Sequence, residues 1–268
     1  MANLLTKDLR TIARGLPERL QDWPHIPCPT GARGSLLPVH DSYVAEESNT
    51  SKSWREHDAW DPDWIRGAFH CFLACSKPTC DVVRVVGEMA VGLGDYDFDE
   101  PYTQGPAPYR EVLTPTLFIP ALPLVESRKF CPEEVGDRVD AAARVLWLDP
   151  SAAANRLRAA AEALMDDRGV IRRDVDRKGN AFRLTLDRRI AIFKSTQPQH
   201  ADAADFLLAV KWIGNVGSHD DVLHIKDVLE GVEFLDHALS LIYDESRDEV
   251  RKRASEVTAR KGQPKTSL

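Results

Sequence analysis

"ADAADFLLAVKWIGNVGSH", residues 201–219, carries an apolar helical run into a cluster of Gly214, Asn215, Gly217, Ser218 and His219. A glycine inside a helix costs about 1 kcal/mol relative to alanine. Two of them near a helix end therefore point to a backbone packed close against a neighbour. Asn215 and His219 are four residues apart and share a face if the helix persists. "NRLRAAAEAL", residues 155–164, shows the matching pattern: Arg158 and Glu162 are also four apart, and the alanines between them let a second helix approach. These features predict a polar cluster of Arg158, Glu162, Asn215 and His219 between two packed helices. Such a cluster either fixes helix register as a satisfied hydrogen-bond network or performs chemistry. The spacing alone favours the network.

Proline divides the chain around this pair. Fourteen of the seventeen prolines lie at or before residue 132. From Glu133 to about Arg260 the pattern is almost purely helical, so two parts meet near "KFCPEE", residues 129–134. Five helical segments are expected, at 132–148, 149–169, 182–195, 201–215 and 226–245. In the second, Ser151 is a candidate cap and Gly169 a stop. Leu157, Leu164, Ile190, Leu207, Val210, Leu235, Leu239 and Ile242 fall at helical spacing and should form the core of an antiparallel bundle.

The N-terminal part reads differently. Residues 4–22 suit an amphipathic helix through Leu5, Leu9, Ile12, Leu16 and Leu20. Strands are expected at 67–74 and at 81–91, where valines dominate "DVVRVVGEMAV". Prolines 115, 120 and 123 exclude a helix from "LTPTLFIPALPLVE", residues 113–126, and disfavour a central strand there. The expected organisation is α+β: an N-terminal helix at 1–22, a small β-rich, zinc-ribbon-like region and linker at 23–131, a helical bundle at 132–246, and a basic tail at 247–268.

The formal net charge is −7, which gives no global basic signal for nucleic acid. The charge is uneven, however. Arg172, Arg173, Arg177, Lys178, Arg188 and Arg189 cluster in one stretch and are candidate phosphate contacts. The N-terminal half is acidic and holds three tryptophans in "SWREHDAWDPDWIRGAF", residues 53–69. These either form a docking face or, in at least two of the three cases, fill a thin core. The chain shows no signal peptide and no apolar run long enough for a membrane helix, so a cytoplasmic protein without membrane contact is expected. A P-loop, a nucleophile elbow and a His-Glu-x-x-His motif are all missing.

Cys28, Cys75 and Cys80 suggest thiolate ligation of a structural zinc ion. The second cysteine pair is present, but Gly31 stands where a partner for Cys28 would fall. His25 can complete the set through a His-x-x-Cys spacing, and His70 and Cys71 are further candidates. The alternative is a knuckle held by packing without metal.

Several of these stretches resemble one family. "TPTLFIPAL" (114–122), "AAANRLRAAAEALM" (152–165), "FLLAVKWIGNVGSHDD" (206–221) and "GVEFLDHALSLIYD" (231–244) are similar to the bacterial domain of unknown function 4145. "CPTGARGSL" (28–36) and "CSKPTCDVV" (75–83) resemble the degenerate zinc ribbon often attached to it. The family is generally grouped with the HEPN (higher eukaryotes and prokaryotes nucleotide-binding) all-α superfamily. The resemblance implies an HEPN-like bundle, a place in antiviral defence or stress systems, and a metal-independent ribonuclease activity in the active members, which usually work as dimers. Their motif is an arginine followed after four to six residues by a histidine, often with a polar residue directly after the arginine. Asn215 and His219 match the polar and histidine positions, but Gly214 occupies the arginine position. In such an enzyme His219 would act as general acid or base, and Arg158 would have to supply the missing positive charge. Glu162 is placed to neutralise Arg158, so the structural role is preferred. Three functions follow as expectations. The first is a non-catalytic HEPN-like module binding RNA, a nucleotide or a protein partner from a defence system. The second is a ribonuclease using His219. The third is an interaction scaffold without nucleic acid. A homodimer through the helical bundle is also expected.

Overall fold

The structure is a computed structural model that describes residues 4–16, 24–30, 34–77, 80, 82–93, 109–217 and 222–263. It is a mixed α+β fold: an N-terminal curled antiparallel sheet followed by a helical region.

Helix α1 (Leu4–Ile12) buries Leu5, Leu9 and Ile12. It is shorter than the expected 4–22. The chain turns at Gly15, whose φ is +130°, and Leu16 forms an isolated bridge with Leu113. Strands β1 (Ile26–Pro27), β2 (Ser35–Pro38), β3 (Val44–Glu47), β4 (Arg66–Cys75), β5 (Val82–Leu93) and β6 (Tyr109–Ile119) form one sheet. Its order is β1-β2-β4-β5-β6, with β3 also paired to β4. Strand β5 shows the alternation that makes it half-buried: Val83 and Val85 face the core, while Val82 and Arg84 face out. In the sheet, strand β6 follows β5 at the end of the order, with Leu16 bridged to its Leu113, and Pro115 lies where the register shifts between Val86 and Gly87. Pro115 thus sits in a strand at the end of the sheet order, a position that tolerates a residue without an N–H, while Pro120 and Pro123 follow the strand.

A short helix α2 (Asn49–Trp54) follows β3. Trp54, Trp60 and Trp64 lie in and after this helix. Trp54 meets Trp64 edge-on at 6.2 Å, and the Arg55 guanidinium lies 5.6 Å from the Trp60 ring centre. None of the three belongs to the buried core, which corrects the expectation that two of them fill it.

The helical region comprises α3 (Glu133–Ala143), α4 (Pro150–Asp167), α5 (Leu186–Thr196), α6 (Ala201–Val216), α7 (Ile225–Tyr243) and α8 (Ser246–Ala259). All eight residues expected in its core are buried. The cap of α4 is Asp149, which accepts the Ala152 N–H, and not Ser151. Gly169, with φ +73°, follows the helix end as expected. An element the periodicity did not announce interrupts the bundle: an exposed hairpin of β7 (Arg173–Val175) and β8 (Ala181–Arg183) between α4 and α5.

Sheet and helices share one hydrophobic cluster. Phe118 of β6 packs on Trp147 at 4.9 Å between ring centres. Buried Asp236 of α7 accepts the backbone N–H groups of Glu126 and Ser127, fixing the linker between the two parts. Helix α1 also reaches α7, where Arg10 meets Glu233 at 2.9 Å. Among the described residues no helix is long and apolar enough to cross a membrane.

Candidate phosphate-binding cleft and candidate metal centre

The helix pair read from the sequence does meet. Gly214 of α6 lies against Arg158 of α4, so closely that a Cβ added to it would stand 2.6 Å from the Arg158 Cβ and 3.0 Å from the Ala154 carbonyl oxygen. One turn on, a Cβ at Gly217 would be 2.7 Å from the Ser151 carbonyl oxygen. The two glycines therefore serve a close helix crossing, as their cost implied. Asn155, which the spacing argument passed over, closes the crossing by donating to the Gly217 carbonyl at 3.0 Å. Asn215 is half-buried on α6. His219 lies outside the described residues, so the polar quartet is seen only in part.

The Arg158–Glu162 pair forms at 3.2 Å, and it is one side of a larger arrangement. Arg158, Glu162 and Asp166 recur every four residues along one face of α4. The hairpin returns Arg183 over this face, 3.3 Å from Glu162. Arg172 grips Asp166 with two bonds of 2.7 and 2.5 Å. Arg189, in the first turns of α5, approaches Asp166 from the other side at 2.5 Å and also donates to the carbonyls of Glu162 and Val170. Each carboxylate is thus shared by two guanidiniums, and Glu134 of α3 also acts electrostatically on Arg172. The Arg172 and Arg189 contacts hold Asp166 below the usual carboxylate range, against the opposing effect of burial.

Arg158, Arg172, Arg183 and Arg189 line a cleft of about 430 Å³ with Glu162 and Thr185. Thr185 caps α5 by accepting the Arg188 N–H, so the positive end of that helix faces the same region. The Nε atoms of Arg158 and Arg189 are buried and make no hydrogen bond. The Arg189 side chain is only 5% exposed, which corrects its expected place in a surface patch: it is a floor residue. The other expected contacts, Arg172, Arg173, Arg177, Lys178 and Arg188, are exposed on the hairpin and the start of α5. Arg183, in the same basic stretch, joins them from β8, where it meets Glu162.

The cysteines also come together. Residues Cys28, Cys75 and Cys80 place their sulfurs within 4.8 Å of one another. The Cys28 N–H bonds the Gly34 carbonyl at 2.9 Å, the Lys77 N–H donates to the Cys75 sulfur at 3.4 Å, and the Cys80 N–H reaches the Lys77 carbonyl at 3.2 Å. Gly34 leaves the room, since a Cβ there would be 2.0 Å from the Cys75 sulfur. The hydrogen bond with Cys75, followed by burial, pushes the Cys80 thiol up to about 11. Three sulfurs so placed could bind a metal ion. His25 is not part of this group; it is exposed and acts electrostatically on Asp8 of α1. Cys71 is buried apart from it, and burial raises its thiol to about 11. His70 stays outside the group as well.

Comparison with known proteins divides the chain along the same seam. Residues 140–260 match the family described as Domain of unknown function (DUF4145), and residues 18–118 match Domain of unknown function (DUF8608). No curated protein and no solved structure matches the chain.

Proposed function

We propose that the helical part is a HEPN-like, non-catalytic module of a bacterial defence or stress system that binds RNA through the arginine cleft and the β7–β8 hairpin. The observation that carries this is the arrangement of four arginines around two carboxylates, lining a cleft beside an exposed basic hairpin. RNA contacts of this kind are made chiefly to phosphates and are sensitive to salt. The non-catalytic role follows from Gly214, which is buried at the position where the nuclease motif carries arginine, and from Glu162, which binds the nearest alternative, Arg158.

The cysteine cluster supplies the second half of the reading, a structural zinc site. Tetrahedral zinc with sulfur at about 2.3 Å requires sulfurs about 3.8 Å apart, and the three cysteines fit that within their 4.8 Å limit. Metal there would tie β1, β2, β4 and the start of β5 together and leave the helical part to bind.

Incubating the purified chain with unstructured RNA, without added metal and with chelator, tests both the binding and the missing catalysis. Binding without cleavage is expected. Cleavage that disappears in His219→Ala would establish the ribonuclease instead.

A further inference from the structure

The face of the sheet turned away from the core is apolar at one end and charged at the other. The pairing register sorts it into rows across the strands. Ala74 and Val82 share one row, and Phe72, Arg84 and Ile119 share the next. A middle row runs through His70, Val86 and Leu117. Beyond it come Ala68, Glu88 and Thr114, and then Arg66 with Ala90. Phe72, Val82 and Ile119 are large apolar residues on the surface, the last two 50% and 53% exposed. A solvated sheet face ordinarily carries polar side chains, and a contiguous exposed apolar patch marks an interaction site.

The two ends of this face complement each other in shape and in charge. Phe72, Val82 and Ile119 stand at one end, whereas Ala68 and Ala90 line a hollow of about 760 Å³ at the other. Arg84 and Glu88 lie four residues apart on β5, about 13 Å along a strand, too far to meet each other. Both are exposed, and neither has an ion pair among the described residues. A second copy, turned about a two-fold axis that crosses the strands above Val86, supplies what each end lacks. Arg84 then faces the partner's Glu88, and Glu88 the partner's Arg84. Phe72 faces the partner's Ala68, and Val82 the partner's Ala90. Projecting residues meet small ones and each of these charges meets its opposite, which is the self-complementarity of an isologous interface. Packed sheets stand about 10 Å apart, a gap that an Arg–Glu pair spans.

The area suits such a contact. Five rows of about 6.7 Å by four strands of about 4.8 Å cover roughly 600 Å², or about 1,200 Å² for two copies, the lower end of specific interfaces.

We infer that the outer face of the sheet is the contact between two copies of this chain, related by a two-fold axis above Val86, with the Arg84–Glu88 pair formed twice across it.

Sedimentation equilibrium of the full chain from about 5 µM to about 200 µM tests this. The mass should rise from 30.0 kDa toward twice that value, with a dissociation constant on the order of micromolar for a contact of this size. Arg84→Glu and Glu88→Arg each set like charges against each other at both pairs, and each should weaken dimerisation about tenfold or more. Both residues are exposed, so the circular dichroism of the variants should match the parent. Mixed in equal amounts, the two variants should dimerise again, because one then presents two acids and the other two arginines at the facing positions. A parent that stays at 30.0 kDa throughout overturns the inference. So does a mixture that stays monomeric. Dimers undiminished in the single variants also overturn it, and would place the contact elsewhere, as in the helical bundle.

Discussion

Gly214 lies against the side chain of Arg158, and no larger residue fits there: an added Cβ would stand 2.6 Å from the Arg158 Cβ and 3.0 Å from the Ala154 carbonyl. The first neighbour is the stem of a side chain and the second is backbone, so neither can move cheaply. Gly214→Ala gains about 1 kcal/mol of helix propensity and loses about 1–3 kcal/mol to overpacking. The net effect should be destabilising, read as a lower midpoint in urea. A rise in stability would mean that the α4–α6 crossing is looser than described.

That crossing was legible in the sequence because glycine in a helix has few explanations and its neighbours were small. The core was legible for a related reason, since periodicity fixes a helix face before the partner is known. The β7–β8 hairpin was not, because its three-residue strands are wholly exposed and carry no buried alternation to read. With the hairpin unseen, Arg183 could not be placed over Glu162, nor Arg189 beneath it. The cysteine cluster was legible as a spacing, but His25 could not be ruled in or out by spacing alone. Trp54, Trp60 and Trp64 misled because a tryptophan's size argues for burial, whereas here Trp54 and Trp64 meet each other edge-on and Trp60 lies against Arg55 outside the core.

Asp166 ties the cleft together, and its removal should be felt. Asp166→Asn leaves buried Arg189 without its carboxylate. Breaking a fully buried pair costs about 3–5 kcal/mol; with Asp166 still 22% exposed, about 2–3 kcal/mol is expected from chemical denaturation at pH 7.

The same group sets an acid dependence. Its folded pKa lies below the reference value of 3.8, so its stabilising contribution is complete above that pH and is lost as pH falls through the lower folded value. Stability measured from pH 6 down to pH 2 should decline below about pH 4 more steeply in the parent than in Asp166→Asn. Parallel curves would mean that Asp166 is not strongly paired.

The metal centre predicts one zinc per chain by elemental analysis of protein purified without chelator. Cys75→Ser should lower the zinc content and the melting temperature together. Gly34→Ala, whose Cβ would be 2.0 Å from the Cys75 sulfur, should do the same at a cost of about 1–3 kcal/mol. Full stability in chelator with no zinc found would leave the cluster as a packed set of thiols.

Salt dependence of RNA binding tests the central claim most directly. For single strands the slope of log affinity against log salt is about −0.7 per phosphate neutralised. Replacing Arg173, Arg177, Lys178 and Arg188 together with alanine removes four exposed cations of the hairpin and the start of α5. The account predicts weaker binding and a slope shallower by about 2–3. An unchanged slope and affinity would contradict it.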